Sequence, residues 1–392
     1  FFVSPLFVLN VHQENLAMNK KHDRRNPFFE PYATPHNTIP FDRIAFDDYE
    51  EAIMEGIRRE DEEIRLITTN PDEPTFDNTL TFKDETHGAH YYDLLDRVSN
   101  ALSCMLNCET SDQLEALAQK MSPLLTKHAN DMSLNPELFR RVKHVYHHHR
   151  PLTDEEQQLL ENSYRGFVRS GALLDDKGKE RLRQLTEEMG LLTLQFAQNL
   201  LKERKAFALH ITNPDDLDGL PDTSRQAAAL AAKERGMEGY VFTLDYPSYS
   251  PFLTYSTRRH LREKMYMAYN TLCTHDNDAN NTHLCKRLVN LRREMAQLLG
   301  YSSFADYVLE HRMAANKEGV YALLNSLTAA YKPTALEEMK NLEQMARQME
   351  GEQFVMQPWD TAYYSHKLKR QLYDIDAEML RPYLPLDRVT QG

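Results

Sequence analysis

Between Gly178 and Phe207, apolar residues fall at Leu182, Leu185, Met189, Leu192 and Phe196, steps of three and four that mark one face of an α-helix. The opposite face carries Lys179, Arg183, Glu187 and Glu188. A seam of this length needs a partner helix, and it predicts a central helix or one arm of a helical hairpin. The chain at large points the same way. Only 13 of its 392 residues are glycine, while Leu, Ala, Glu, Met and Arg are plentiful, a balance that favours long helices over turn-rich sheets. With 41% hydrophobic and 27% charged residues, it reads as a soluble globular protein able to bury a large core.

The same periodicity predicts further helices. Ala52, Ile53, Ile57, Ile64 and Ile67 place one over residues 48–69, stopped by Asn70-Pro71 because the residue before proline is pushed out of the α region. Others are expected over residues 81–103, over 111–130 with Ser111 as its cap, and over 134–150. The capping box of Thr153 and Glu156 opens one that runs to Ser170. Residues 207–211 and 240–244 are short β-favouring runs, so a small strand pair near residues 207–244 is expected inside an otherwise all-α protein. Residues 246–251, with Pro247 and Pro251, read as a turn. Helices resume over 257–269, 283–299, 303–310, 317–349 (broken near Pro333) and 360–368.

Composition and motifs exclude several functions. A net charge of −13 leaves no basic face for nucleic acid, and no run of 18 apolar residues is available to span a membrane. Cys104 and Cys108 lie four apart among apolar neighbours, which predicts buried free thiols; with Cys273 and Cys285 they fit a reducing cytoplasm and form no metal signature. His144 and His148 share a helix face, but residue 145 is valine, and the run into Arg150 reads as a wet helix end favoured by the dipole. His87 and His90 read as surface residues, and His275–Asn281 as a polar loop lacking the glycine and bidentate glutamate of a calcium loop. There is no Gly-x-Ser-x-Gly, no phosphate-cradling glycine loop and no His-Glu-x-x-His. Residues 1–17, ahead of Met18, read as an upstream or non-native extension rather than a signal peptide, since no basic segment precedes the apolar run.

Short motifs then recur in a fixed order. They include Pro40-Phe41-Asp42-Arg43-Ile44, Glu55-Gly56-Ile57, Asn70-Pro71, Pro74-Thr75-Phe76-Asp77-Asn78-Thr79, Tyr164-Arg165-Gly166-Phe167 and Glu187-Glu188-Met189. Val241-Phe242-Thr243-Leu244, Leu298-Leu299-Gly300-Tyr301, Phe304-Ala305-Asp306-Tyr307, Pro358-Trp359-Asp360, Tyr363-Tyr364 and Leu380-Arg381-Pro382-Tyr383 follow. In this order the chain resembles the thimet-oligopeptidase-like zinc metallopeptidases, more the bacterial peptidyl-dipeptidase branch than the endopeptidase branch, over about residues 26–391.

The resemblance implies an all-α array forming one wall of a substrate channel, short peptides as substrates and release of C-terminal dipeptides. It also implies one zinc ion in the full-length enzyme, held by two histidines and a glutamate, that polarises the attacking water. No position here matches those ligands. Residues 26–392 are therefore expected to be the N-terminal helical portion, lacking the catalytic half, inactive as they stand and without stoichiometric zinc. The channel-wall candidates are Tyr363, Tyr364, Arg381 and Tyr383, with packing between helices as the alternative for each. A non-catalytic helical scaffold that binds peptides, and an endo-acting oligopeptidase of the same family, are the rival readings.

Overall fold

The computed structural model describes residues 24–82 and 93–391 and divides into two compact units, parting inside one long helix. Among the described residues the architecture is all-α with one two-stranded ribbon. Residues 1–17, His87, His90 and positions 83–92 of the helix expected over 81–103 lie outside the described residues.

The first unit comprises residues 1–194 and 298–300. It contains α1 (Phe46–Thr69), α2 (Leu94–Cys108), α3 (Asp112–Ser133), α4 (Pro136–His147), α5 (Asp154–Arg169) and the first part of α6 (Asp176–Ala206). Its core is built from the predicted apolar stripes. Phe28, Tyr49, Ala52, Ile53, Leu94, Val98, Leu114, Leu117 and Met121 form one buried cluster. Helices α1 and α2 approach closely at Gly56, where an added Cβ would lie 2.9 Å from the backbone of Leu95, so only glycine fits there. Ser111 caps α3 and Thr153 with Glu156 forms the capping box of α5, both as expected.

Two polar locks fix this unit. Arg141 on α4 is buried, and donates to the carbonyls of Asn70 (3.1 Å) and Asp72 (3.3 Å) and to Oδ1 of Asn78 (2.9 Å). The Asn70–Asn78 loop after α1 is thereby tied to α4. His128 on α3 is only 4% exposed, with Nε2 2.8 Å from Glu60 and Nδ1 3.1 Å from Asp61, both on α1. The hydrogen bond to Glu60 raises the His128 pKa, outweighing the burial that would lower it. Both ring nitrogens can donate only in the imidazolium form.

The second unit comprises residues 195–297 and 301–392. Strands β1 (Leu209–Ile211) and β2 (Tyr240–Phe242) pair antiparallel, with Leu209 opposite Phe242 and Ile211 opposite Tyr240. Leu209 and Ile211 point inward while His210 is exposed, the alternation of a half-buried strand. The ribbon packs on α7 (Asp222–Glu234) and on α8 (Tyr246–Tyr255), with Phe242 edge-on to Phe252 at 4.7 Å. Beyond these lie α9 (Arg259–Asn270), α10 (Thr282–Leu298), α11 (Phe304–Leu309), α12 (Lys317–Glu350), α13 (Thr361–Tyr373), α14 (Ala377–Leu380) and α15 (Leu386–Gln391).

Three local expectations are corrected. Residues 246–255 are helical rather than a turn. Pro247 sits in the first turn, where no amide donor is needed, and burial of Phe252 and Leu253 holds the rest. Helix α12 runs unbroken through Pro333, because the missing amide falls on an exposed turn where the freed carbonyl meets solvent. Cys104 and Cys108 are exposed, not buried: α2 turns Leu94, Val98, Ala101 and Leu102 to the core and leaves the thiols outside. Cys273 is the buried thiol, its pKa pushed up to about 11 by burial.

Replacing Arg141 with methionine removes the three bonds to the 70–78 loop, with an expected cost of about 2–4 kcal/mol measured by urea denaturation. His128 has a raised folded pKa, so its stabilisation is complete below about pH 6.5 and lost as pH rises through the folded value. The stability difference between the wild type and His128→Gln should therefore shrink as pH rises above neutrality; a difference constant with pH would contradict the pairing.

Candidate functional site

The polar cavity of the second unit is set up by one buried ion pair. Asp360 is fully buried and accepts from Arg262 Nη2 (2.8 Å), Arg259 Nη2 (2.8 Å) and the Gln357 amide (3.0 Å). Burial alone would raise its pKa, but these donors outweigh burial and hold the carboxyl below the usual range. The Arg262 guanidinium also lies over the Tyr363 ring at 4.2 Å. The start of α13 is thereby fixed to α9.

From that anchor α13 projects His366, Lys367 and Arg370 toward one cavity, with His366 and Arg370 one turn apart. Asp374 then takes a left-handed conformation (φ 53°), ending the helix and bringing Asp376 back as the N-cap of α14. Asp376 Oδ1 accepts from the Glu378 amide (3.0 Å) and from the Tyr255 hydroxyl (2.9 Å). The Tyr255 ring stands edge-on to His366 at 4.6 Å. Gly219, at φ +83°, closes the far side, where an added Cβ would fall 2.3 Å from the Tyr255 carbonyl oxygen. The cavity is open to solvent and has a volume of about 260 Å³.

The electrostatics are asymmetric. Burial pushes the Tyr255 hydroxyl well above its ordinary range, helped by Asp376. Burial lowers the His366 pKa against the pull of Asp376, so the imidazole is neutral at pH 7. Asp376 is held ionised: burial opposes this, but the Glu378 amide and the Tyr255 hydroxyl prevail. Glu378 is taken up by Arg381 Nη2 (2.9 Å) and Thr223 Oγ1 (3.1 Å).

The four residues singled out from sequence part company here. Tyr363 and Tyr364 are buried in a cluster with Leu342 and Ala346, the Tyr364 hydroxyl bonding Glu350 at 3.1 Å. Arg381 and Tyr363 do not line the cavity but touch residues that do: Arg381 donates to Glu378, and the Lys367 ammonium is 5.1 Å from the Tyr363 ring. Tyr383 is 76% exposed and away from these contacts. His366, Asp376 and Tyr255 went unnoticed in the sequence. The Tyr255 partnership spans 121 positions, and no motif marks it.

Zinc does not fit the residues described. No group of three or more His, Cys, Asp or Glu side chains is placed to hold a metal among them. His144 and His148 have ring centres 4.8 Å apart, yet His144 faces only Glu73, at 3.4 Å. The loop 275–281 is ordered instead by Glu203, which accepts from His275 Nδ1 (2.7 Å), Asn277 (3.1 Å) and the Cys273 amide. No helix among the described residues is long and apolar enough to cross a membrane.

Residues 252–392, which include this cavity's α13 and α14, match the model of Peptidase family M3. The chain is 32% identical over 372 residues to dipeptidyl carboxypeptidase of Escherichia coli (strain K12), covering 93% of this chain and 53% of that protein. It is 28% identical over 369 residues to oligopeptidase A of the same organism, covering 92% and 53%. The organellar oligopeptidase A of Arabidopsis thaliana is 33% identical over 249 residues, 62% of this chain and 31% of that protein. The chain thus spans about half the length of the first two relatives. On its family match and on its likeness to these peptidases across nearly all of its length, the chain belongs to peptidase family M3.

Proposed function

We propose that the protein carrying these residues is a zinc-dependent peptidase of short peptides that releases C-terminal dipeptides. The observation that carries this is the 32% identity with a dipeptidyl carboxypeptidase over 93% of the chain. These 392 residues contribute helical framework and a share of the peptide-binding surface, and a metal-binding segment that they do not contain supplies the hydrolytic centre. The absence of a His-Glu-x-x-His pair from the sequence supports that division. So do the exposed apolar side chains of α12, among them Leu323, Leu327 and Tyr331 along one face, a surface suited to being covered by further polypeptide. Tyr363, Tyr364, Arg381 and Tyr383 are the channel-wall residues this reading proposes, with Tyr363 and Tyr364 packed between helices. The site works in the cytoplasm, in keeping with four free thiols.

Likeness to oligopeptidase A of nearly equal extent keeps internal cleavage as the second reading. Digestion of oligopeptides with free and amidated C-termini by the intact gene product separates the two. Stepwise loss of dipeptides, slowed at least about tenfold by the amide, is expected; equal internal cleavage of both would establish the endo mode. The 392 residues alone should neither cleave these peptides nor retain zinc after dialysis, and one tightly held ion per chain would overturn the division of labour.

A further inference from the structure

Cys104 and Cys108 lie four apart, and both are free thiols on the exposed side of α2, opposite Leu94, Val98, Ala101 and Leu102. The pair has no part in the core or in the function proposed above. Side chains four apart on a helix have Cβ atoms roughly 5–6 Å from one another, so the two sulfurs share one patch of surface. The thiols also sense each other. Desolvation raises the Cys104 pKa, and the hydrogen bond and charge of Cys108 raise it further, so at neutral pH Cys104 is held in the protonated form. The other two cysteines are placed differently: Cys273 is buried, and Cys285 is exposed on α10.

Distance and ligand number decide what such a pair can hold. A disulfide needs Cβ atoms about 3.5–4.5 Å apart, so closing one here would distort the last turn of α2. A protonated thiol is also a poor nucleophile toward an oxidant. Zinc in a structural site takes four ligands, and among the described residues no group of three or more His, Cys, Asp or Glu side chains is placed to hold a metal. A soft centre completed by two sulfurs fits. One atom bonded to both at about 2.3 Å, the length of a zinc–thiolate bond, reaches across roughly 4.6 Å without moving the helix. We propose that Cys104 and Cys108 form a chelating site for monosubstituted trivalent arsenicals, whose arsenic carries one carbon and takes up two sulfurs. Two arsenic–sulfur bonds form, and the oxygen of the arsenoxide leaves as water with both thiol protons. Arsenic stays trivalent, so the step needs neither oxidant nor reductant. The second bond closes within one chain, and this gives the pair its advantage over a single thiol.

The test uses the intact gene product, fully reduced, and phenylarsine oxide, read by intact-mass spectrometry in excess glutathione. Glutathione strips arsenic from an isolated thiol, so Cys285 should not register, whereas arsenic held by the pair should remain until ethanedithiol is added. Cys104→Ser and Cys108→Ser should each lower the retained arsenic by one phenylarsenic per chain, a loss of affinity of at least about tenfold, while Cys285→Ser leaves it unchanged. Both positions are exposed, so neither substitution opens the core. Cys108→Ser/Glu109→Cys keeps the number of thiols and a close spacing in sequence but moves one sulfur off the shared face, and should lose the same amount. A chain that retains no arsenic in glutathione, retention undiminished by loss of Cys104 or Cys108, or equal retention by the relocated pair would each overturn the proposal.

Discussion

The carboxylate of Asp360, buried between Arg259 and Arg262, is the interaction on which the second unit depends. Removing an ionised carboxylate from water costs several kcal/mol, and it is tolerated only where the geometry supplies enough donors. Here two guanidinium groups and the Gln357 amide supply them. Arg262 is itself 2% exposed and has further bonds to the carbonyls of Ser256 (2.7 Å) and Trp359 (3.3 Å). The ends of α8, α9 and α13 are therefore fixed to one another by polar contacts of defined length. The placement of His366, Lys367 and Arg370 follows from that anchor.

The first unit uses the same device with one arginine instead of two. Arg141 holds the backbone of the 70–78 loop, and Phe76 of that loop is buried with Val145 and Leu160. The motifs that carry the family resemblance are thus explained by packing. Asn70-Pro71 ends α1 and presents a carbonyl to Arg141, and Asn78 supplies the side-chain acceptor. Trp359-Asp360 and Tyr363-Tyr364 surround Arg262. A fold can be recognised from such residues because each combines a backbone constraint with a buried polar partner, and few substitutes satisfy both.

This explains what the sequence made legible. Helices α1, α3, α5 and α6 follow from apolar periodicity and caps, and the strand pair from two β-favouring runs. In α6 Leu182 and Leu185 are fully buried while Met189, Leu192 and Phe196 are half-buried, so the seam is real but loosens along its length. Proline misled twice, at Pro333 and at residues 246–251, because its cost depends on whether the missing amide is needed, which is a matter of exposure and position in the turn. The cavity was not legible. Its basic side chains lie on α13, but the residues that face them come from positions 219, 255, 376 and 378 and converge only in the folded chain. Tyr363 and Tyr364 pack between helices, while His366 and Asp376, which no motif marks, line the cavity.

If polar locks of this kind hold the fold, the Asp360–Arg262 pair must act as a unit. A double-mutant cycle on unfolding free energy with Asp360→Asn, Arg262→Met and the combined variant measures this most directly. Removal of Asp360 alone leaves Arg262 buried without its partner, with an expected loss of about 3–5 kcal/mol, and the combined variant should be less destabilised than the sum of the two by 2 kcal/mol or more, roughly. Strict additivity, within about 0.5 kcal/mol, would show that the two side chains stabilise the protein independently and would contradict the account.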